Sequence, residues 1–261
     1  DNSCVCPTCE HPFQMDRRDR IASLIDDGTF EEWDTELASV DTLGFTGTDS
    51  YESKLKKNRK KTGEKDAITT GTGRMGGHPV GFGVMDFNFL GASMGAVVGE
   101  KVTRLIERST EKRMPVILIC ASGGARMYEG MFSLMQMAKT SGALARHTEA
   151  GLAYIPVLTH PTMAGVMASF ATLGDIIVAE PGALIGFAGP RVIKDTTQSE
   201  LPPGVQRSEF LLAHGLIDTV INRRELKEKL VEILGYMDPD GVVAPEPSPP
   251  APEAEETPEA V

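Results

Sequence analysis

One pattern of secondary structure occurs three times in this sequence and most constrains its fold. An apolar segment typical of a buried strand ends in a turn of small residues, and a segment with helical periodicity follows. The three predicted units are strand 80–87 with helix 96–112, strand 115–120 with helix 126–147, and strand 154–159 with a short helix ending near Leu173. Strands that alternate with helices in this way predict a layered α/β fold.

Other elements are predicted around these units. They are a helix over 16–26, a turn between two strands at 76–79, two strands at 175–179 and 183–187, and a final helix near 223–234. The length of 261 residues suits one large domain with a small appendage. No apolar run is long enough to span a bilayer, and no signal peptide opens the sequence. Because the sequence begins at Asp1, we interpret its N-terminus as processed, trimmed or incomplete.

Much of the negative charge lies at the end of the chain. The formal net charge is −11, and residues 238–261 contain seven acidic residues, seven prolines and no basic residue. A segment of this composition cannot bury a core, so we expect a disordered acidic tail. The acidic balance argues against nucleic acid as the main ligand.

The cysteines are unevenly distributed. They are Cys4, Cys6, Cys9 and Cys120. Three crowded at the start and one in an apolar strand do not form a disulfide framework, which indicates a reducing compartment. We expect Cys120 to be a small buried hydrophobic residue. Residues 1–14 resemble a metal-binding knuckle, but a single Cys-x-x-Cys pair supplies only half of the four ligands that zinc prefers. Cys4 and His11 are conceivable additional ligands, although their short spacings disfavour a closed tetrahedron.

The turn SGGAR at 122–126 is the strongest candidate for chemistry. It joins a buried strand to a predicted helix, where backbone N–H groups lack helical partners and lie at the positive end of the helix dipole. Gly123 and Gly124 carry no Cβ, so an oxyanion could approach their amides and be stabilised as an enolate. A tight turn that binds nothing fits the same residues.

Two further glycine-containing segments have a similar character. The turn TMAG at 162–165 could also donate amides, and the apolar segment IGFAGPR at 185–191 could form the wall of a flat apolar ligand site. Close packing explains the second segment equally well. Pro190 is suited to the first turn of a helix.

Seven strings of residues carry a resemblance to a known family. They are TGEKDA at 62–67, SGGARM at 122–127, MQMAKTS at 135–141, PTMAGV at 161–166, LIGFAGPRV at 184–192, LPPG at 201–204 and QRSEF at 206–210. Together they closely resemble the carboxyltransferase β subunit of bacterial-type acetyl-CoA carboxylase. The resemblance extends from about Cys6 to about Gly235.

The resemblance implies a fold, a reaction and partners. The fold would be a crotonase-like spiral of ββα units over residues 15–237, joined to a homologous α subunit in an α2β2 core. A carrier protein would deliver biotin that a biotin carboxylase has carboxylated at the expense of ATP. Carboxybiotin would release CO2, and the biotin anion would take the methyl proton of acetyl-CoA, giving malonyl-CoA for fatty acid biosynthesis. The protein would work in the bacterial cytoplasm, or in the plastid stroma of a plant.

Site residues follow from the same resemblance. The amides of Gly123 and Gly124 would hold the thioester enolate. The candidate substrate-binding residues are Ala164, Gly165, Gly186, Phe187, Gly189, Arg191, Lys57, Arg59 and Lys60. The last three belong to the basic run 54–61, which suits the phosphates of CoA, although a solvated helix face explains such a run as well.

Two positions depart from the family pattern. Ala164 replaces a residue that is more often glycine in the family, which weakens a role for its amide. The family carries a zinc ribbon with two Cys-x-x-Cys pairs, and only the second, Cys6 and Cys9, is present here. We expect a partial ribbon with these two zinc ligands, and the alternative is that no zinc binds.

Methionines recur near the turns. Met127, Met131 and Met135 have helical spacing, which is more often that of a core face than of a binding surface. The partner α subunit would supply the donors for biotin, so we expect its interface near the helices after the small-residue turns, with Met94, Met127 and Met163 as contacts. Core filling explains methionines at these three turns equally well.

Two other functions compete with carboxyl transfer. A serine hydrolase of the Clp-protease type would use Ser93 and His160, but 67 positions separate them, more than that family uses. Packing or capping is the simpler role for His160. A zinc-ribbon protein that binds nucleic acid would use the basic run, but it leaves the glycine turns without a purpose.

Overall fold

The computed structural model describes residues 3–8 and 11–237. Its helices are α1 (Arg17–Leu24), α2 (Tyr51–Thr62), α3 (Ala96–Glu111), α4 (Met131–Glu149), α5 (Ala164–Met167), α6 (Pro190–Thr197), α7 (Ser208–Ala213) and α8 (Leu226–Met237). Its strands are β1 (Glu31–Trp33), β2 (Ile68–Met75), β3 (His78–Met85), β4 (Val116–Ser122), β5 (Tyr154–Met163), β6 (Val178–Ala179), β7 (Ile185–Gly186) and β8 (Thr219–Val220). The predicted acidic tail and Cys9 lie outside the described residues.

The strands form one mixed sheet in the order β1-β2-β3-β4-β5-β6-β8, with β7 also paired to β5. Strands β1 to β3 are antiparallel, and β3 pairs in parallel with β4, as β4 does with β5. Gly76 and Gly77 join β2 to β3 with φ of 58° and 86°. A two-residue hairpin turn of this kind requires positive φ at both positions, and glycine supplies it at least cost. The predicted turn is confirmed.

The sheet separates two apolar cores. Helices α3 and α4 cover one face, where the α3 residues Val98, Val102 and Leu105 are fully buried. Helices α1 and α8 cover the other face, and Leu226 and Leu230 recur there at helical spacing. The layered α/β prediction is confirmed. Cys120 lies in the first core, and burial raises the pKa of its thiol.

The second predicted helix begins later than expected. Residues Met127–Glu129 form a 3-10 turn, and Gly130 has φ 53° and ψ −128°, so the helix starts at Met131 and not at Arg126. The reason is that the Arg126 side chain is bound inside the protein, which fixes the backbone before the helix. The two late strands are confirmed but shorter than predicted, at Val178–Ala179 and Ile185–Gly186.

The N-terminal segment forms a small hairpin that is docked on the domain. Cys6 N–H donates to His11 O at 2.9 Å, and Phe13 N–H donates to Cys4 O at 2.9 Å. Arg223 Nη1 donates to the carbonyls of Cys4 and Phe13 at 3.3 and 2.9 Å. One buried guanidinium therefore anchors the knuckle to the end of the sheet.

Arg223 belongs to a buried group of three charges. Glu180 accepts from Arg223 Nη2 at 2.6 Å, and Arg20 Nη2 lies 2.7 Å from its other oxygen. Burial alone would raise the pKa of Glu180, but the two guanidinium groups lower it below its usual value. None of the helices in the described ranges combines the length and apolar character of a membrane span.

We expect Glu180→Gln to destabilise the fold by about 3 kcal/mol, because it leaves two buried guanidinium groups without a counter-charge. Urea unfolding measures the loss. Folding lowers the pKa of Glu180. Its contribution to the free energy of unfolding is therefore present above about pH 4.3 and is lost as the pH falls through the pKa of the folded state. The difference between the two proteins should therefore shrink in acid.

The matched control is Glu107→Gln, which removes an ion pair with Arg146 whose side chains are 46% and 57% exposed. That change should cost less than about 1 kcal/mol. Equal losses in the two variants would contradict the structural importance of the buried group.

Candidate active site

The three predicted small-residue turns, at 90–95, 122–126 and 162–165, converge at the carboxyl ends of β3, β4 and β5. This is where ligands bind in parallel α/β sheets. Gly123 N–H donates to Gly91 O at 2.8 Å, and Met94 N–H donates to Gly124 O at 2.8 Å. Arg126 N–H in turn donates to Met94 O at 2.9 Å, so the turn after β3 and the turn after β4 are one hydrogen-bonded unit.

The two predicted enolate donors have internal acceptors in this structure. Gly123 N–H is bound to Gly91 O, as described, and Gly124 N–H donates to Ser122 Oγ at 2.9 Å. The Ser122 hydroxyl donates to Ala92 O at 2.7 Å. The turn therefore lies where the sequence predicts it, but its glycine amides would have to exchange acceptors to hold a ligand.

The amide of Ala125 has a different direction. In the parallel bridge between Met94 and Ala125, the hydrogen bonds are made by Gly124 O and Arg126 N–H. The residue between two such bonds directs its own N–H to the opposite side of the strand. A Cβ built on Gly165 would lie 3.5 Å from Ala125 N, so this amide faces the start of α5.

The turn at 162–165 packs directly against the Gly-Gly turn at 122–126. Gly124 has φ +120°, and a Cβ built on it would lie 2.7 Å from the Cβ of Ala164. Ala164 itself has φ +50°, a left-handed conformation that costs a residue with a Cβ about 1 kcal/mol. Glycine suits both positions for physical reasons. The structure brings Gly123, Gly124, Ala164 and Gly165 together.

The glycine-containing segment at 185–191 reaches this junction only in part. Strand β7 pairs with the end of β5, which places Gly186 beside Met163. Gln206 Nε2 donates to Ala188 O at 2.8 Å and occupies the space that a Cβ on Gly186 would need. Phe187 is 65% exposed.

Gly189 and Arg191 lie where α6 begins. Gly189 is the N-cap of α6, a helix in which no residue is buried. The Arg191 side chain is 93% exposed and lies 3.6 Å from Asp195. Together with Phe187, these residues offer a surface beside the junction and not a closed wall.

The basic run forms helix α2, which lies against the turn after β3. Asn58 Oδ1 accepts from Leu90 N–H at 3.2 Å. Lys57 and Lys60 are exposed to solvent. Arg59 is used differently, because its guanidinium donates to Ser39 O and, at 3.5 Å, to Lys65 O.

The structure decides between the two roles considered for these methionines. Met127, Met131 and Met135 are 82%, 66% and 54% exposed, so the expectation of a core stripe is wrong. The reason is that α4 buries its other face, which carries Ser133, Gln136, Thr140, Ala143, Leu144 and His147. Met94 and Met163 are 0% and 6% exposed, so they fill the core, which is the alternative to an interface contact that the sequence left open.

Sequence reasoning did not find the buried charges behind the Gly-Gly turn. Arg126 is fully buried, and its Nη2 donates to Asp66 Oδ1 at 2.7 Å. Its Nη1 lies 3.3 Å from Glu129 Oε1 and 3.2 Å from the Tyr51 hydroxyl. The only sequence signal is an arginine that follows a buried strand and a Gly-Gly-Ala turn, because Tyr51 and Asp66 are distant in the chain.

Ser93 and His160 do not hydrogen bond to each other in the described part of the chain. Ser93 Oγ accepts from Arg126 Nε at 3.1 Å, and His160 Nδ1 accepts from Leu184 N–H at 3.2 Å. Burial, with smaller effects of the Arg207 and His11 charges, lowers the pKa of His160. This geometry gives no nucleophile–base pair, which a serine hydrolase requires.

A metal site is not assembled by the residues that the structure describes. Within residues 3–8 and 11–237, no three or more potential ligands among His, Cys, Asp and Glu are grouped so as to hold an ion. His11 packs edge-on against His160 at 5.8 Å between ring centroids. Cys6 lies in the docked knuckle, and Cys9 is outside the described residues.

Comparisons with known proteins agree on one family. A model described as carboxyl transferase domain matches residues 17–256. A protein of Synechococcus elongatus named acetyl-coenzyme A carboxylase carboxyl transferase subunit beta is 55% identical over 238 residues, which cover 91% of this chain and 78% of that protein. A protein of the same name from Methylacidiphilum infernorum is 56% identical over 236 residues, which cover 90% of this chain and 85% of the relative.

Solved structures share the fold. Transcarboxylase 12S with methylmalonyl-coenzyme A and methylmalonic acid bound aligns with a TM-score of 0.73 at 25% identity, over 85% of this chain and 42% of that one. The Pseudomonas malonate decarboxylase hetero-dimer aligns with a TM-score of 0.67 at 19% identity, over 85% of this chain and 86% of that one. The chain therefore belongs to the carboxyl transferase family and, within it, to the β subunits of acetyl-coenzyme A carboxylase carboxyl transferase. The predicted resemblance and the crotonase-like α/β fold are confirmed.

The contact between the two turns can be measured by a double-mutant cycle. We expect Gly124→Ala to cost about 1–3 kcal/mol, because it strains the backbone and its Cβ overlaps that of Ala164. Ala164→Gly removes the overlap and should recover at least about 0.5 kcal/mol of that loss.

Gly151→Ala is the control for the cycle. Gly151 has φ +70° and nothing within 4 Å of a built Cβ, so the substitution adds backbone strain without an overlap. The change that Gly151→Ala causes in the free energy of unfolding should add to the change caused by Ala164→Gly, with no coupling between them. Additive behaviour in the Gly124 cycle would mean that the two turns are not in contact.

Proposed function

We propose that the junction of the Gly123–Ala125 turn with the start of α5 binds the thioester of acetyl-CoA and stabilises its enolate. As a β subunit of the carboxyl transferase, the chain takes part in carboxyl transfer from carboxybiotin to acetyl-CoA, which gives malonyl-CoA. The observation that supports this site is the packing of two amide-bearing turns against each other at the carboxyl ends of parallel strands.

The chemistry needs donors that are in place before charge develops. Loss of a methyl proton puts negative charge on the thioester oxygen, and fixed backbone amides stabilise that charge without reorganising. Gly123 and Gly124 are the predicted donors on one side, and each would exchange its internal acceptor for the thioester oxygen when acetyl-CoA binds, before charge develops. Ala125 N–H already faces the second turn, where Ala164 and Gly165 begin a helix whose first amides have no helical acceptor.

The base is proposed to come from the second substrate. Around the junction, the Ser122 hydroxyl donates to Ala92 O and Arg126 is held by carboxylates, so neither is placed to remove a proton. The biotin anion left after CO2 release would take the methyl proton of acetyl-CoA. This scheme requires of the chain only that it position the thioester and stabilise the enolate.

The rest of CoA would lie along the surface beside the junction. Lys57 and Lys60 on α2 project into solvent next to the turn after β3, which suits the phosphates. Arg59 contributes by holding α2 in place through Ser39 O. Gly186, Phe187, Gly189 and Arg191 are proposed to flank the acyl end.

The exposed face of α4 is proposed to bind the α subunit. The first half of this helix is inverted in polarity, because it buries Ser133, Gln136 and Thr140 while Met131 and Met135 are exposed. An apolar face of this kind favours a protein partner.

A neighbouring cavity extends this apolar surface. It has a volume of about 280 Å³, and its apolar lining includes Val40, Leu43, Tyr128 and Phe132. Because α4 follows the Gly-Gly turn, a subunit bound on this face would lie next to the proposed enolate site.

The remaining partners belong to the same proposal. The carrier protein would bring carboxybiotin, and the biotin carboxylase would consume ATP on another subunit, in the cytoplasm. Zinc is proposed only as a structural ion held in part by Cys6 and Cys9. The described residues do not complete a tetrahedral site, so no step of the reaction depends on it.

The function is tested by malonyl-CoA-dependent carboxylation of free biotin, which is the reverse reaction. We expect no turnover from this chain alone and clear turnover after the α subunit is added, because the biotin-side donors are proposed to come from α. Robust activity without α would contradict the two-subunit mechanism. A complex that forms but never turns over would contradict the enzymatic function.

The interface is tested by Met131→Glu, which places a charge in the centre of the exposed apolar face. We expect binding of the α subunit, followed by light scattering or analytical ultracentrifugation, to weaken about tenfold or more. Leu216→Glu is the control, since Leu216 is 54% exposed and follows α7 near the edge strand β8. Equal binding by both variants would place the α subunit elsewhere.

A further inference from the structure

We propose that Arg126, Asp66 and Glu129 are positioning residues that hold the Gly-Gly turn in the geometry that stabilises the enolate. The inference rests on the proposed function and extends it to residues behind the site. Arg126 immediately follows the turn, so any movement of its guanidinium moves the backbone at Ala125. Nothing in the arrangement requires these side chains to touch the substrate.

The guanidinium of Arg126 is bound on every side. Nη2 donates to Asp66 Oδ1 at 2.7 Å and to Ser93 O at 2.8 Å, and Nε donates to Ser93 Oγ at 3.1 Å. Nη1 donates to Ser39 Oγ at 2.9 Å and to Tyr51 OH at 3.2 Å. A planar guanidinium with this many fixed partners has one orientation available.

The bonds to Ser93 connect the guanidinium with the acceptors of the turn. Ser93 directly follows Gly91 and Ala92, whose carbonyls accept from Gly123 N–H and from the Ser122 hydroxyl. The turn after β4 and the segment that receives its hydrogen bonds are therefore fixed to the same side chain. A shift of that side chain would change both together.

Glu129 fixes the other end of the group. Its Oε2 accepts from Ala96 N–H, at the first residue of α3, at 2.6 Å, and its Oε1 accepts from the Tyr51 hydroxyl at 2.5 Å. A Cβ on Gly95 would overlap this carboxylate, so glycine is needed for the approach. Through Glu129, the group that holds the Gly-Gly turn is also hydrogen bonded to the start of α3, a sixteen-residue helix that packs on the sheet.

Asp66 and Arg126 stay ionised near neutral pH. Burial alone would raise the pKa of Asp66, but the Arg126 guanidinium and the bonds from Arg126, Ser39 and Ala67 N–H lower it. Burial alone would lower the pKa of Arg126, but the Asp66 charge raises it overall. The pair therefore stays ionised, and its geometry does not change with pH near neutrality.

Fold stability alone does not explain such a group. A buried ion pair often contributes less than an apolar replacement of the same volume, because both charges must lose their hydration. Holding the Gly-Gly turn in one position would benefit catalysis and not stability, since displacing hydrogen-bond donors by about 1 Å can cost on the order of a hundredfold in rate.

The test separates enolate recognition from ground-state binding. The probe is a CoA analogue in which a nitroalkane replaces the thioester, because its nitronate anion has the shape and charge of the enolate. Affinities for the nitronate and for acetyl-CoA are measured on the assembled complex with the α subunit. The ratio of the two affinities reports the donor geometry, whereas a loss of folded protein lowers both signals equally.

The variants are Asp66→Asn and Tyr51→Phe, with Glu180→Gln as the control. We expect Asp66→Asn to weaken nitronate binding about tenfold while the affinity for acetyl-CoA stays within about twofold. Tyr51→Phe removes one hydroxyl, keeps the ring that stacks on Tyr128, and should show a smaller change in the same direction. Glu180→Gln disrupts a buried charge group that does not contact the turn, and should leave the ratio unchanged.

The outcomes are distinct. A ratio that is unchanged in both Asp66→Asn and Tyr51→Phe overturns the positioning role, and so does an equal change in Glu180→Gln. If Asp66→Asn does not fold, the ratio of the two affinities in Tyr51→Phe alone tests the positioning role. A wild-type complex that binds the nitronate no more tightly than acetyl-CoA contradicts the proposed enolate site itself, which separates that failure from a failure of the positioning role alone.

Discussion

The parallel pairing of β4 with both β3 and β5 determines where everything else in the site lies. Parallel neighbours end at the same edge of a sheet, so the turns that follow these strands must meet there. Burial strengthens this pairing, since each of the seven residues of β4 is buried and all but Ser122 are apolar. The helices that return the chain, α3 and α4, pack together on one face. The site is therefore a consequence of strand order.

The meeting of the turns depends on the absence of side chains. Gly124 lies so close to Ala164 that a Cβ there would overlap its neighbour, and it has a φ that residues with a Cβ rarely adopt. The small residues are thus required by the approach of two backbones, before any ligand is considered. The same approach brings Ala125 N close to Gly165 at the start of α5, which is the junction that we propose for the enolate oxygen.

Sequence reasoning succeeded where local pattern determines structure. The repeated strand, small turn and helix predicted β3 to β5 and α3, and the predicted Gly-Gly turn follows β4, where it meets the other small-residue turns. It failed for Met127, Met131 and Met135, because helical spacing indicates that residues share a face but not which face the protein covers. In the first half of α4 the covered face is polar, which reverses the usual rule, while Ala143 and Leu144 are buried in the second half. The Arg126 contacts were missed because Ser39, Tyr51 and Asp66 approach it only after the chain has folded.

The most direct measurement is a structure of the complex with the α subunit and the nitronate analogue of acetyl-CoA bound. The nitronate oxygen should lie about 3 Å from backbone nitrogens of both the Gly123–Ala125 turn and the Ala164–Gly165 turn. The Arg126 guanidinium should keep its bonds to Asp66 and Ser93. An analogue that binds with its oxygen away from this junction, or against side chains elsewhere, would contradict the assignment of the enolate site to these turns.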